Sequence, residues 1–346
     1  MLSPQKTFDE KIFPAGFTAF DNVSYLKCED PVYGSYIDPM ASRRMSRIVK
    51  MGVCTAIKCL KDNNVDMPDA IITGTGLGCI EDTEKFLGSI YAYDEKLLNP
   101  TPFIQSTHNT VAGAIALTLK CNNYNTTYAH RGFSFETALQ DTILMLQERP
   151  SMKILTGSFD EITPAAFEIT RRLGMWKNHP VNSFHLNRYN NRGSLAGEGV
   201  AFFIMGGSHE PGDIAEMKAV HTFYSPENDQ KLTAQIVHFL NENNIQPGQI
   251  DLLLLGMNGD SRFDKYYDMV TGKLFPANSV GWYKHLCGEY DTSSSFAAGL
   301  AAKILKNQQV PEGILISKKK PAGIDRILIY NQLRGSEHSL ILLAKC

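Results

Sequence analysis

The sequence predicts an α/β protein made of mixed sheets covered by helices and arranged in two successive halves. Three observations carry this. Short apolar runs of strand length alternate with helical patterns along the chain, and several of these runs end in Gly or a polar turn. The alternation then starts afresh after a Gly/Pro-rich turn, "GGSHEPGD", Gly206–Asp213. The 346 residues, 43% of them hydrophobic, suffice for a large core or for two closely packed halves, with an expected split into 1–207 and 208–346. No internal repeat is strong enough to prove a duplication.

In the first half, residues 42–64 place apolar side chains three and four apart, which predicts a helix. "AIITGTG", Ala70–Gly76, is an apolar run closed by glycine and predicts a strand. "QSTHNTVAGAIALTLKC", 105–121, predicts a second helix. "NTTYAHR", 125–131, is expected to be extended, and "TALQDTILMLQE", 137–148, helical. "KILTGSFDE", Lys153–Glu161, and "GVAFFIMGG", 199–207, close the half as strands. In the second half "IAEMKAVHTFY", 214–224, alternates like a strand, and "QKLTAQIVHFLNENNI", 230–245, is amphipathic and helical. "IDLLLLGMNGD", 250–260, is continuously apolar up to a turn, as in a strand buried on both faces. "SSSFAAGLAAKILKN", 293–307, is a helix of small residues suited to close packing. "GILISKK" (313–319), "RILIYNQ" (326–332) and "HSLILLAK" (338–345) predict three closing strands.

Composition narrows the function. A net charge of −2 offers no basic field for a polyanion, so a nucleic-acid partner is not expected. Seven scattered cysteines, without a CxxC or paired metal spacing, suggest a reduced, cytoplasmic chain with neither disulfides nor a metal. His179 and His185 lack a metal-ligand pattern. No cofactor motif is present. The opening "MLSPQKTFDEKIF" has no apolar signal core, and no apolar run approaches the roughly 20 residues that span a bilayer.

Several stretches, in order and across nearly the whole chain, are similar to the β-ketoacyl-acyl-carrier-protein synthase family. "MASRRMSRIVKMGVCTAIKCLKD" (40–62) resembles its early helix, and "DAIITGTGLGCIEDTEKFL" (69–87) the strand and Gly turn that follow. "ITPAAFE" (162–168) resembles the segment after the strand that bears the family's Gly-rich signal. "FHLNRYNNRGSLAGEGVAFFIM" (184–205) resembles the "FD-x-x-RDGFV-x-GEG" stretch and retains Gly197-Glu198-Gly199. "KHLCGEYDTSSSFAAGLAAKIL" (284–305) resembles "KSMTGHLLGAAG". The resemblance implies a thiolase-like fold: two related α/β halves stacked in a five-layered αβαβα core, usually dimeric. It also implies a chemistry. A Cys thiolate at a helix N-terminus takes the acyl chain, two His assist decarboxylation and stabilise an enolate, and a Lys supports the site.

Mapped onto this chain, those positions have changed. Counting without gaps from either flank puts Gly132, in "YAHRGFSFETALQD", at the Cys position; Cys121 is too far upstream. The first His becomes Asn258, which can donate a hydrogen bond but cannot exchange a proton near neutral pH. The second becomes Glu289, whose charge would repel an enolate. The Lys is retained as Lys284, and a Lys284–Glu289 ion pair is expected in the old site. The gating "GFGGTN" loop becomes "LRGSEH", with Arg334 in place of the gating Phe. Two residues could act as a relocated nucleophile: Cys287, with Lys284 lowering its pKa, or Ser134, whose alternative role is a first-turn hydrogen bond. His108 and His130 read as structural hydrogen-bonding residues.

Changed catalytic positions on a retained scaffold point to a protein partner. Within the resembled family such a chain is a chain-length factor, a subunit paired with an active ketosynthase whose acyl chain grows into a tunnel at the shared interface. His130, Arg131, Phe133, Phe135 and Arg334 are the interface or tunnel candidates; core packing is the alternative for Phe133 and Phe135. The short form of the chain is similar to chain-length-factor-like proteins of aryl polyene and flexirubin-type pigment assembly. Partners implied are an active synthase or a second copy of this chain, with acyl carrier protein engaged indirectly. Other readings are an enzyme with a relocated site, or a homodimer that binds acyl chains or carrier protein.

Overall fold

A computed structural model describes residues 1–8 and 16–346; residues 9–13 of the N-terminal stretch discussed above lie outside the described residues. The strands, in chain order, are β1 (Tyr25–Leu26), β2 (Ala70–Gly74), β3 (Tyr124–Tyr128), β4 (Lys153–Asp160), β5 (Ala196–Gly197), β6 (Gly199–Gly206), β7 (Glu216–Tyr224), β8 (Leu252–Leu255), β9 (Ser279–Trp282), β10 (Arg326–Leu333) and β11 (Glu337–Ala344). They form a sheet of order β3-β2-β4-β6, a sheet of order β7-β11-β10-β8-β9, and the small pair β1-β5. In each large sheet three strands run parallel, and the chain then returns antiparallel through β6 or β11. The second sheet adds β7 against β11. At the matching edge of the first sheet, Leu2 makes an antiparallel bridge to Val200 of β6. The two sheets thus share one topology, with a single bridge standing where the first sheet would have its opening strand.

The second sheet is buried on both faces, and its sequence shows why. Leu252, Leu254, Ile327, Ile329, Ile341 and Leu343 face one core, whereas Leu253, Leu255, Leu328, Tyr330, Leu340 and Leu342 face the other. Helices Asp229–Glu242 and Lys265–Leu274 cover the outer face with Leu232, Ile236, Phe239, Tyr267 and Val270. Helices Arg47–Asp62 and Thr110–Leu119 cover the outer face of the first sheet, where Ile71 and Leu155 meet Val53, Ile57 and Val111. Helices Ser134–Glu148 and Ser294–Asn307 touch both sheets and form the middle layer. The result is the five-layered αβαβα stack of a thiolase-like fold. Ala297, Ala298, Gly299 and Ala301 let the helix Ser294–Asn307 approach both sheets closely.

Two expectations need correction. "GILISKK" is no strand: only Leu315 makes a bridge, to Gly281, and the segment packs through buried Ile314. The strand in that place is β9, "SVGW", which is too short and too Gly-containing to announce itself by periodicity. The predicted helix 105–121 is two elements, Pro100–Gln105 and Thr110–Leu119, separated by the turn that carries His108.

Candidate functional site

The first corner of the site lies where β3 hands over to the helix Ser134–Glu148. A tight turn of residues Arg131–Phe133 joins them, with Arg131 in the left-handed region at φ 51°. Gly132 is buried at the helix entrance, and nothing on it can attack an acyl group. The space a side chain would need is taken: a Cβ at Gly132 would stand 2.5 Å from Glu337 Oε2 and 3.0 Å from Leu333 Cβ and Cδ2. Burial pushes the Glu337 carboxyl up, and its Oε2 has no hydrogen-bond partner.

Ser134 is not a free nucleophile. Its hydroxyl accepts from His130 N–H at 2.8 Å and lies 2.9 Å from Thr75 O and 2.8 Å from Arg131 O, to which it donates. It pins the turn to the end of β2, upstream of the helix rather than within its first turn. The ring of His130 stacks on Phe133, with centroids 5.5 Å apart, and is not aimed at the Ser134 oxygen. His130 and Arg131 are exposed, and Arg131 Nη1 reaches Asp291 Oδ2 at 3.2 Å. Arg334 is exposed at the tip of the β10–β11 hairpin. Phe135 is core rather than interface: it is fully buried between the sheets, 6.0 Å from Phe203. Phe133 is buried at the turn. His108 and His130 are exposed, and no structural hydrogen bond is formed through either ring among the described residues. Cys121 is a packed thiol beside Pro68 O.

The second corner brings Asn258, Lys284 and Glu289 together. Lys284 Nζ lies 2.8 and 2.7 Å from the two Glu289 oxygens, and Asn258 Nδ2 donates to Glu289 Oε2 at 2.7 Å. All three residues are buried. Asp260 N–H donates to Asn258 Oδ1, and Asp264 accepts from the amides of Asn258 and Gly259. Burial pushes the Asp264 carboxyl up to about 6. Every polar end of the triad thus has a partner, the condition for keeping charge in a low-dielectric interior.

Cys287 follows Lys284 by three residues and is fully buried in the middle-layer core. Burial pushes its thiol well above the usual range, and the nearby Lys284 does not compensate. A thiol kept protonated and out of contact with solvent is a poor nucleophile, and the lowering by Lys284 is outweighed by burial.

The retained family-like glycines explain themselves at this corner. Gly197 amide donates to Glu289 O at 3.0 Å, and a Cβ on Gly197 would collide with the Cys287 carbonyl. Glu198, between the glycines, accepts from Cys28 and Ile162 amides and pairs with Arg47 at 2.8 Å. Sequence reasoning missed three buried tethers. Asp160 accepts from Thr75 Oγ1, Gly76 N and both Thr292 donors, which ties the two halves together; burial and Asp291 push its carboxyl up to about 6. Asp264 is the second. Lys177 is the third, donating to Tyr189 O, Asn191 O and Oδ1, and Gly259 O. A lone Asp or Lys at a strand end or in a loop carries no periodic signal, so nothing in the sequence pattern could have found them.

One cluster among the described residues could hold a metal by spacing, exposed His209, Asp213 and Cys346. Among the described residues no helix is long and apolar enough to cross a membrane.

The αβαβα stack defines the class: this is a ketosynthase-fold chain. Residues 23–181 match the family described as β-ketoacyl synthase, N-terminal domain. A search of curated proteins returns no match. Among solved structures, the ishigamide ketosynthase/chain length factor is similar at TM-score 0.76 and 16% identity, covering 95% of this chain and 92% of that one. A ketosynthase (ApeO) in complex with its chain length factor (ApeC) from Xenorhabdus doucetiae is similar at TM-score 0.76 and 15% identity, covering 97% and 91%. A β-ketoacyl synthase from Burkholderia phymatum is similar at TM-score 0.78 and 12% identity, covering 93% and 88%. At these identities the likeness establishes the fold.

Proposed function

We propose that this chain is a non-catalytic, chain-length-factor-like partner of an active β-ketoacyl-acyl-carrier-protein synthase. It would act in the cytoplasm, in polyene or fatty-acid-like elongation, and help shape the acyl tunnel at a dimer interface. The observation that carries the reading is the state of the site. Gly132 offers no nucleophile, and Asn258 and Glu289 are held with Lys284 in a buried cluster whose polar groups hydrogen-bond to one another. Two of the similar structures contain a chain length factor by their own descriptions. We take 1–207 and 208–346 as the two functional halves; β6 ends at Gly206 and β7 opens at Glu216.

A surface for a partner is available. β3 is an edge strand, and its outer side has no pairing among the described residues. Such an edge is a template for another chain. Beside it the helix Thr110–Leu119 exposes Leu117 at 82%. β3 also leads directly into His130 and Arg131, so a partner on this edge would meet the sealed turn.

The test is co-purification and turnover. Expressed with a ketosynthase that carries Cys-His-His, the chain is expected to elute as a heterodimer that condenses malonyl units. Alone, it is expected to take no acyl group from acyl carrier protein. Condensation by the purified chain alone, above an empty-vector background, overturns the reading. A stable homodimer indifferent to the synthase overturns the partner assignment.

A further inference from the structure

We propose that Glu337 and Leu333 form a fixed stopper that fills the vacated nucleophile position and excludes an acyl thioester from this chain's own half of a pair. The inference deepens the function proposed above and rests on it for its biological meaning, but not for its geometry. Both residues belong to the β10–β11 hairpin and face each other across its last register pair. Leu333 is buried, and both of its contacts with a Gly132 Cβ would be 3.0 Å. Glu337 Oε2 is shielded from solvent, lacks a hydrogen-bond partner, and lies closest of all to the missing side chain.

The hairpin that carries them is held from several sides. Gly335 N–H donates to Gln332 Oε1 at 2.6 Å, and Ser336 N–H donates to Leu333 O at 3.2 Å. Ser225 N–H donates to Ser336 O at 2.6 Å, which ties the tip to the end of β7. The His338 ring bridges Tyr330 Oη and Gly335 O, and it is packed between Phe223 and Tyr266. Gly335 itself has no room for a Cβ, because Tyr266 and Phe263 lie against it. A gate that must swing needs a tip with few contacts; here Gly335, Ser336 and His338 are tied down by hydrogen bonds, and Arg334 is the exposed residue of the turn. The stopper is therefore set by the fold rather than placed by a ligand.

A thiol at position 132 would then be unreactive, because its volume is already occupied. The experiment uses iodoacetamide labelling of the purified chain, without any partner, followed by peptide mass mapping. In Gly132→Cys, the introduced thiol is expected to react at least about a hundredfold more slowly than the exposed native Cys346, since labelling must wait for local opening. Adding Glu337→Ala and Leu333→Ala is expected to speed it at least about tenfold. Buried Cys28 and Cys54 report unfolding: if they label together with the introduced thiol, the variant has lost its fold. In that event a second measurement decides. Gly132→Ala is expected to lower the unfolding midpoint in the native background and to leave it unchanged in a Glu337→Ala, Leu333→Ala background. An introduced thiol as reactive as Cys346 in a folded chain, or an alanine at 132 that costs the same in both backgrounds, overturns the stopper. Neither result bears on whether the chain pairs with a synthase.

Discussion

The two corners of the candidate site are closed in opposite ways. At the helix entrance Gly132 carries no side chain, and Glu337 and Leu333 occupy the space a Cβ would need, with a carboxylate oxygen of Glu337 left without a partner. At the loop Lys284–Glu289 the polar groups remain, but each is matched: ammonium to carboxylate, carboxylate to amide. The first corner closes by volume and the second by charge neutralisation. Catalysis needs a free site and an unmatched group poised to interact with developing charge, and each corner lacks one of the two. A chain under no demand beyond losing activity would not need to satisfy Glu289 so completely. Buried charge without partners would unfold it, so the second corner must be neutral to persist.

The sharpest way to break this comparison is Lys284→Met. It leaves Glu289 buried with only Asn258 for a partner, and removal of one member of a buried pair costs about 3–5 kcal/mol. Chemical denaturation should show that loss. Lys284→Met with Glu289→Leu should recover more than half of it, because no charge is then stranded. Should the single variant lose less than about 1 kcal/mol, the second corner is not closed by charge and the contrast falls.

The next effect belongs to the other corner. Glu136 lies in the first turn of the helix Ser134–Glu148, fully buried, with Ser339 Oγ donating to one oxygen at 2.8 Å and the other oxygen unpaired. Burial pushes its carboxyl from 4.5 up to about 7. Here the folded chain holds a proton that the unfolded chain releases between those values. Stability from this group is therefore full below about pH 4.5 and is lost as pH rises to about 7, a loss of roughly 3 kcal/mol at most. Glu136→Gln should match the parent near pH 4.5 and exceed it by about 2–3 kcal/mol at pH 8. Glu161 and Asp160 are shifted in the same direction, so the difference between variant and parent across pH is the quantity to read. Parallel pH curves would show that Glu136 ionises freely and that this corner is wetter than its packing implies.

Much of the fold was legible because it rests on repetition. The continuously apolar runs in β8, β10 and β11 and the small-residue helix Ser294–Asn307 advertise burial on two sides. β9 was not legible, since "SVGW" is buried by pairing with β8 rather than by its own pattern. In the site, the residue types at 284 and 289 sufficed to foresee the Lys284–Glu289 pair. The filling of the Gly132 space was not foreseeable, because Glu337 reaches it from 205 positions along the chain through a hairpin whose register only the folded sheet sets. Asp160 and Lys177 were hidden for a related reason. Many of their partners are backbone groups distant in sequence, and backbone groups leave no mark in a sequence.

The smallest expected effect tests whether the first corner keeps its turn for structural reasons. Arg131 adopts φ 51°, a conformation that costs most residues about 1–2 kcal/mol, and a β-branched residue more. Its guanidinium is half exposed, so the contact with Asp291 offsets that by no more than about 1 kcal/mol. Arg131→Gly removes both the strain and the ion pair, and should leave stability within about 1 kcal/mol of the parent. Arg131→Val keeps the strain without the ion pair and should fall below the glycine variant by about 1–2 kcal/mol. Equal stabilities for Gly and Val would mean the turn relaxes when asked to. A turn that relaxes would let the helix entrance shift away from Glu337, so closure of the first corner by volume depends on this left-handed residue holding its place.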